Sequence, residues 1–176
     1  MKWFNPAKLV TTQKPGGGSR LSKSKSLMAA ALLLVGGYEG LRTTAYRDVV
    51  GIPTVCFGET RGVKMGDRYS VEDCKAMLGT ALVEFETGMR ACLINPNAVP
   101  DKPYVAMLSA TYNIGVGSAK PPRGFCGSSM ARLLNAGDIR GSCNALLAWN
   151  KAGGKIVAGL TRRRQEERAL CLEGAG

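Results

Sequence analysis

Residues 38–60 of the chain read YEGLRTTAYRDVVGIPTVCFGET, and this stretch decides the fold. An apolar run at residues 27–35 precedes it and ends in two glycines. Inside the stretch, residues 51–58 carry β-branched side chains between flanking glycines, which predicts short strands. A small β section therefore follows an apolar run.

Helical patterns fill much of the remaining chain. Ser70, followed three residues later by Asp73, resembles a capping box of the kind that opens a helix. Apolar residues then recur at helical spacing over residues 71–92. We predict further helices over residues 102–114, 127–135, 138–149 and 159–172. A small β section followed by helices is an α+β pattern.

The first 26 residues differ in composition from the rest. They contain six of the 24 lysines and arginines and none of the 13 acidic residues. Residues 14–19 read KPGGGS, a composition typical of flexible linkers. We therefore predict a basic flexible tail at residues 1–26 and a single domain at residues 27–176. The net charge of +11 favours polyanionic partners.

The apolar segment at residues 27–37 has two interpretations. A run of about ten apolar residues is too short to span a bilayer, which takes roughly 20. Its length and basic lead-in match the apolar region of a signal peptide, which would associate it transiently with the inner membrane. It also suits a buried helix at the start of the domain. Both interpretations hold if the segment leaves the membrane and then packs.

The chain has no histidine. Catalytic triads with histidine, HExxH metal sites and C2H2 fingers are therefore excluded. Its six cysteines form no CxxC pair, so a structural zinc site is not expected. We predict neither a metal nor another cofactor. The chemistry must come from carboxylates, hydroxyls, thiols or amines.

The cysteines are even in number and widely spaced. This pattern favours disulfides in an oxidising compartment over buried free thiols in the cytosol. The sequence alone leaves their connectivity open. Their placement relative to the predicted strands and helices favours three pairs, Cys56–Cys74, Cys92–Cys126 and Cys143–Cys171.

Three residues in the opening stretch are candidates for catalysis. Glu39 follows the apolar run, and a carboxyl held against apolar surface keeps its proton to higher pH, as a general acid requires. A turning hairpin can bring Asp48 and Thr54 to the same cleft. Two carboxylates and a hydroxyl are the usual parts of a glycoside-hydrolysing site. From the residues alone, Glu39 is equally a solvated acid and Asp48 a turn residue.

The same stretch resembles the active-site block of the phage-type lysozymes, glycoside hydrolase family 24. The family pattern is glutamate, eight residues, aspartate or cysteine, five residues and threonine, and Glu39, Asp48 and Thr54 meet it. The resemblance continues in Tyr112-Asn113-Ile114-Gly115 and in Trp149, and it covers about residues 28–172.

The resemblance implies a lysozyme-like α+β fold, with a small β-hairpin lobe, a larger helical lobe and an active-site cleft between them. It implies hydrolysis of the β-1,4 bond between N-acetylmuramic acid and N-acetylglucosamine in peptidoglycan. Glu39 would protonate the glycosidic oxygen, and Asp48 and Thr54 would hold the attacking water. Host-cell lysis would occur from the periplasm, reached by export or through a holin lesion. We expect a monomer.

Further residues are weaker candidates. The resemblance suggests Thr60, Tyr112, Asn113 and Ser128 as substrate contacts, although each could be a helix-end or turn residue. For Glu59 a structural ion pair is favoured over a third cleft acid. Arg163 is the expected partner of Glu39, and the alternative is a solvated basic face.

Two other functions compete with this hypothesis. A non-catalytic cell-wall-binding or virion component could share the fold, but the intact set of Glu39, Asp48 and Thr54 argues against it. A nucleic-acid binder would explain the positive charge. However, only 6% of the residues are aromatic and the basic residues are scattered, so we predict no nucleic-acid partner.

Overall fold

A computed structural model describes residues 18–48 and 50–176. The rest of the predicted tail, residues 1–17, lies outside the described residues. The elements in chain order are α1 (Arg20–Lys23), α2 (Lys25–Glu39), β1 (Arg42–Arg47), β2 (Pro53–Cys56), α3 (Val71–Ala91), α4 (Asp101–Ile114), α5 (Ser129–Asn135), α6 (Ile139–Ala145), a 3-10 turn (Leu146–Ala148), β3 (Lys151–Ala152), β4 (Lys155–Ile156) and α7 (Ala158–Glu173). This order has the predicted α+β pattern.

Helix α4 is the centre of the larger, helical lobe. Residues 103–111 are buried without interruption, because α2, α3 and α7 all pack against this helix. A helix that is apolar on every side is expected to be enclosed in this way. The lobe therefore has one continuous core, and the C-terminal end of α2 contacts α7 through side chains.

The β section is an antiparallel hairpin with a core of its own. Tyr46 pairs with Thr54 and Arg47 with Pro53, so Tyr46 and Arg47 lie in β1. The turn begins at Asp48, whose Oδ1 accepts hydrogen bonds from two backbone amides across it. Phe57 packs against both this small core and the core of the helical lobe, which joins the two.

Helix α3 connects the lobes. It begins with the predicted capping box, in which Ser70 and Asp73 accept each other's backbone N–H groups. The structure forms the three disulfides expected from the sequence, Cys56–Cys74, Cys92–Cys126 and Cys143–Cys171. The first of them ties the end of β2 to the start of α3, and so fixes the hairpin relative to the helical lobe.

The folded domain begins earlier than residue 27, which corrects the predicted boundary. Leu21 is buried, and the buried carboxylate of Glu86 accepts hydrogen bonds from the backbone N–H groups of Arg20, at 2.8 Å, and Leu21, at 3.3 Å. The hydroxyls of Ser19 and Tyr104 donate to the same carboxylate. The tail composition does not reveal this contact, because its acceptor lies more than 60 residues away.

The apolar segment is a helix packed in the core. Helix α2 buries Leu27, Ala31 and Val35 at helical spacing against the helical lobe. Among residues 18–48 and 50–176, no helix has the length and apolar character needed to cross a membrane.

Removing the Glu86 carboxylate should destabilise the fold. Glu86→Ala leaves buried donors of Ser19, Arg20, Leu21 and Tyr104 without their acceptor, so we expect the free energy of unfolding to fall by about 2–4 kcal/mol. Urea denaturation measures this loss. The exposed Glu72 on the same helix is the control, and Glu72→Ala should cost less than about 1 kcal/mol. Equal stability of the two variants would contradict the capping role of Glu86.

Candidate active site

A cleft of about 710 Å³ lies between the β hairpin and the helical lobe. The hairpin forms one side, and α3, the end of α4 and the β3–β4 hairpin form the other. Glu39, Asp48 and Thr54 all line it. The structure therefore brings the three predicted catalytic residues to one cavity. Glu39 comes from the end of α2, Asp48 from the turn after β1, and Thr54 from the start of β2.

Glu39 is the last residue of α2, and an arginine of α7 holds its carboxylate. Arg163 Nη1 donates to Glu39 Oε1 at 2.7 Å, and the two side chains are 7% and 4% exposed. Arg163 is the partner that the sequence suggested. A charge-assisted hydrogen bond at this depth fixes the direction in which the carboxyl group points.

Arg163 also contacts a second buried carboxylate, that of Glu167. Arg163 Nε donates to Glu167 Oε1 at 3.1 Å, the Ser109 hydroxyl donates to the same oxygen at 2.6 Å, and Arg164 Nε lies 2.9 Å from Glu167 Oε2. Two guanidinium groups thus face two carboxylates in the interior. Buried charges persist where they are paired in this way.

Burial shifts the pKa values of Arg164 and Glu167 in opposite directions. It lowers the pKa of Arg164 to about 10, so the guanidinium stays charged at neutral pH. Burial also raises the pKa of Glu167, which the nearby Arg164 and Arg163 guanidiniums and the Ser109 hydroxyl oppose. Sequence reasoning missed Glu167, although its spacing of three and four residues from the two arginines places all three on one helix face.

The residue before Glu39 provides a second link to α7. The Tyr38 hydroxyl donates to Glu166 at 2.6 Å, and the Arg163 guanidinium lies 4.6 Å above the Tyr38 ring. Burial and the hydrogen bond to Glu166 raise the pKa of Tyr38, so the hydroxyl remains a donor. Two successive residues at the end of α2 are therefore held by α7.

Asp48 and Thr54 stand at the two ends of the hairpin turn. Asp48 Oδ1 accepts from the backbone N–H groups of Val50 and Ile52, each at 2.9 Å. Its Oδ2 has no hydrogen bond within the described part of the chain and can accept one from water. The Thr54 hydroxyl donates to the Ile52 carbonyl at 3.0 Å, which leaves its own oxygen able to accept. This turn can therefore orient a water molecule.

Three of the four predicted substrate contacts line the cleft, namely Thr60, Tyr112 and Asn113. The Tyr112 hydroxyl donates to the Phe57 carbonyl at 3.3 Å, and Asn113 Oδ1 accepts from Arg164 Nη2 at 3.2 Å. Burial and the negative charges of Glu39 and Glu59 raise the pKa of Tyr112. Tyr112 is therefore a neutral, hydrogen-bonded part of the wall.

Ser128, the fourth, is not among the described residues that line the cleft. Its hydroxyl accepts from the backbone N–H of Ala131 at 3.2 Å and donates to the Phe125 carbonyl at 2.6 Å. It is a buried N-cap of α5. A serine directly before a predicted helix fits this role.

Glu59 belongs to an ion-pair bridge centred on Arg61. Arg61 Nη2 lies 2.8 Å from Glu59 Oε2, and Arg61 Nη1 lies 2.9 Å from Glu84 Oε1 on α3. Burial raises the pKa of Glu59, but hydrogen bonds from Arg61 and the Thr60 amide outweigh it, so the net pKa is lowered. Glu59 is an ionised bridge residue, as the favoured interpretation had it. No sequence signal pointed to Glu84.

The described residues contain no cluster of three or more cysteine, aspartate or glutamate side chains that could hold a metal ion.

Comparisons with known proteins assign this chain to a family. The phage lysozyme family profile matches residues 36–167. The chain is 37% identical over 158 residues to the SAR-endolysin of Bacteriophage PS119, covering 85% of this chain and 88% of that protein. The structure is similar to that of a P22 lysozyme variant, with a TM-score of 0.71, 31% identity and coverage of 81% and 94%. It is also similar to the active form of the P1 phage endolysin, with a TM-score of 0.71, 25% identity and coverage of 90% and 97%.

The fold and the cleft define a glycoside hydrolase of the lysozyme class. The chain belongs to the phage lysozyme family. It is a muramidase of the endolysin type, which acts in host lysis. The lysozyme-like α+β fold expected from the resemblance is thereby confirmed.

Replacing Arg163 should damage both stability and activity. Arg163→Met leaves Glu39 and Glu167 buried without their shared guanidinium, so we expect a loss of about 3–5 kcal/mol in the free energy of unfolding. Activity measured at a temperature where the variant is folded should also fall, because Glu39 loses its orientation. Arg162→Met changes the exposed neighbour and serves as the control. A stable and fully active Arg163→Met protein would show that the ion pair is dispensable.

Proposed function

We propose that this endolysin hydrolyses the β-1,4 bond between N-acetylmuramic acid and N-acetylglucosamine, with Glu39 as the general acid. The observation that carries the proposal is the position of Glu39 in the same cleft as Asp48 and Thr54, held by Arg163. A carboxyl on one side and a water-binding turn on the other are the two parts that glycoside hydrolysis needs.

The proposed roles follow from the hydrogen bonds of each residue. In its protonated form Glu39 gives a proton, from the carboxyl oxygen that Arg163 does not hold, to the oxygen that leaves the anomeric carbon. Asp48 Oδ2 and the Thr54 oxygen hold a water on the opposite face of the sugar, and Asp48 accepts its proton as it attacks. Such an arrangement inverts the configuration of the anomeric carbon, and inverting carboxyl pairs stand roughly 6.5–9.5 Å apart.

We further propose that the enzyme works in the host periplasm, as a monomer, after export and transient membrane association through residues 27–37. Relatives named SAR-endolysin support this location. The three disulfides also suit an oxidising compartment.

Glu39→Gln tests the acid directly. The amide oxygen can still accept the hydrogen bond from Arg163, so the fold should be kept, but the side chain can no longer supply a proton. We expect turnover of purified peptidoglycan to fall by about a hundredfold or more, measured as released reducing ends. Glu72→Gln, at an exposed position, should match the wild type. Activity of Glu39→Gln within about tenfold of wild type would exclude Glu39 as the general acid.

The stereochemistry of the product tests the water-binding turn. If Asp48 and Thr54 direct a water to the face opposite the leaving group, the first product is the α anomer. Proton NMR of freshly cleaved soluble glycan, recorded before mutarotation, distinguishes the anomers. A β anomer as the initial product would mean that a covalent intermediate forms and that the proposed role of Asp48 is wrong.

A further inference from the structure

We infer that Lys151 recognises a free carboxylate of the peptide attached to the glycan strand, and so selects peptide-bearing strands as substrate. The inference rests on the proposed function, since it assumes that the strand lies in this cleft. Lys151 is exposed and lines the cleft on the side of the β3–β4 hairpin.

The charge distribution of the cleft singles out this residue. Among the described residues that line it, four are acidic, Glu39, Asp48, Glu59 and Glu84, and two are cationic, Arg61 and Lys151. Arg61 is already occupied, because its Nε and Nη2 donate to Glu59 and its Nη1 donates to Glu84. Lys151 has no acidic partner in residues 18–48 and 50–176. It is thus the cation of the cleft that remains available to a ligand.

The backbone under Lys151 is held in place. Lys151 pairs with Ile156 across the short hairpin, and the Val157 N–H donates to the Asn150 carbonyl at 2.9 Å. The Asn150 side chain donates to the Thr161 hydroxyl on α7 at 3.3 Å. The attachment point is therefore fixed to α7, while the long side chain with its ammonium group stays free to reach a charged partner.

The substrate supplies the complementary charge. Each muramic acid unit carries a short peptide on its lactyl group, and that peptide has free carboxylates. Arg61 is already paired with Glu59 and Glu84, so a peptide carboxylate in the cleft gains most beside Lys151, whose charge no acidic residue of the described chain neutralises. A strand whose peptide lies along the β3–β4 side therefore gains an attraction at Lys151 that a strand without free carboxylates lacks. The ligand class is a peptide carboxylate, and the residue acts on substrate selection and not on proton transfer.

The experiment changes the charge on each partner in turn. Soluble glycan strands with their peptides are used untreated, or after carbodiimide coupling to glycinamide, which neutralises the carboxylates. Lys151→Met should lower kcat/KM on untreated strands by about threefold or more, mainly through KM, and should leave it unchanged relative to wild type on neutralised strands. Lys155→Met, on the same hairpin but outside the cleft lining, is the matched control and should affect both substrates equally.

Further outcomes separate a failure of the Lys151 assignment from a failure of the proposed function. Lys151→Arg should keep the preference for untreated strands, and the pH profile of kcat should be the same in all variants. Equal losses for Lys151→Met on both substrates, or equal effects of Lys151→Met and Lys155→Met, would overturn the assignment of Lys151 while leaving the muramidase function intact. If the wild type cleaves neither substrate, the proposed function is wrong and the inference falls with it.

Discussion

The ion pair between Arg163 and Glu39 is the contact on which the active site depends. It joins the end of α2 to α7 across 124 residues of sequence, with both side chains almost fully buried. Neither charge would be stable there alone, and Glu167 with Ser109 completes the arrangement on the other side of Arg163. The position of the Glu39 carboxyl is therefore set by the packing of the helical lobe and not by the local chain around Glu39.

The same helix connects the N-terminal segment to the site. Its apolar residues pack in the core, Glu39 ends it, and the short helix before it is capped by the buried carboxylate of Glu86. Both ends of this region are thus held by charged or polar groups from distant parts of the chain. Glu39 lies in the cleft at the end of a helix whose apolar residues are packed in the helical lobe.

The hairpin wall of the cleft is held by backbone hydrogen bonds, a disulfide and an ion pair. The hairpin turn is fixed by backbone hydrogen bonds to Asp48, and its base by the disulfide between Cys56 and Cys74. Arg61 adds an electrostatic link from the hairpin side to α3. Asp48 and Glu39 therefore lie on separately stabilised structures that meet at one cavity.

Much of this organisation could be predicted from the sequence, because it depends on local patterns. The capping box at Ser70 and the helical spacing after it predicted α3, and the spacing of Glu39, Asp48 and Thr54 predicted that they share a cleft. Contacts over long separations could not be predicted, such as Glu86 with Arg20 or Arg61 with Glu84. The N-cap role of Ser128 could not be distinguished from a ligand contact, because a hydroxyl before a helix can serve as either.

The most direct measurement of the central claim is a crystal structure of Glu39→Gln with a peptidoglycan fragment that spans the cleft. If Glu39 is the general acid, the glycosidic oxygen lies within about 3.2 Å of the residue 39 side chain. An ordered water bound to Asp48 and Thr54 then lies on the other face of the sugar. A glycosidic oxygen far from residue 39, or a water-binding turn on the same face as residue 39, would contradict it.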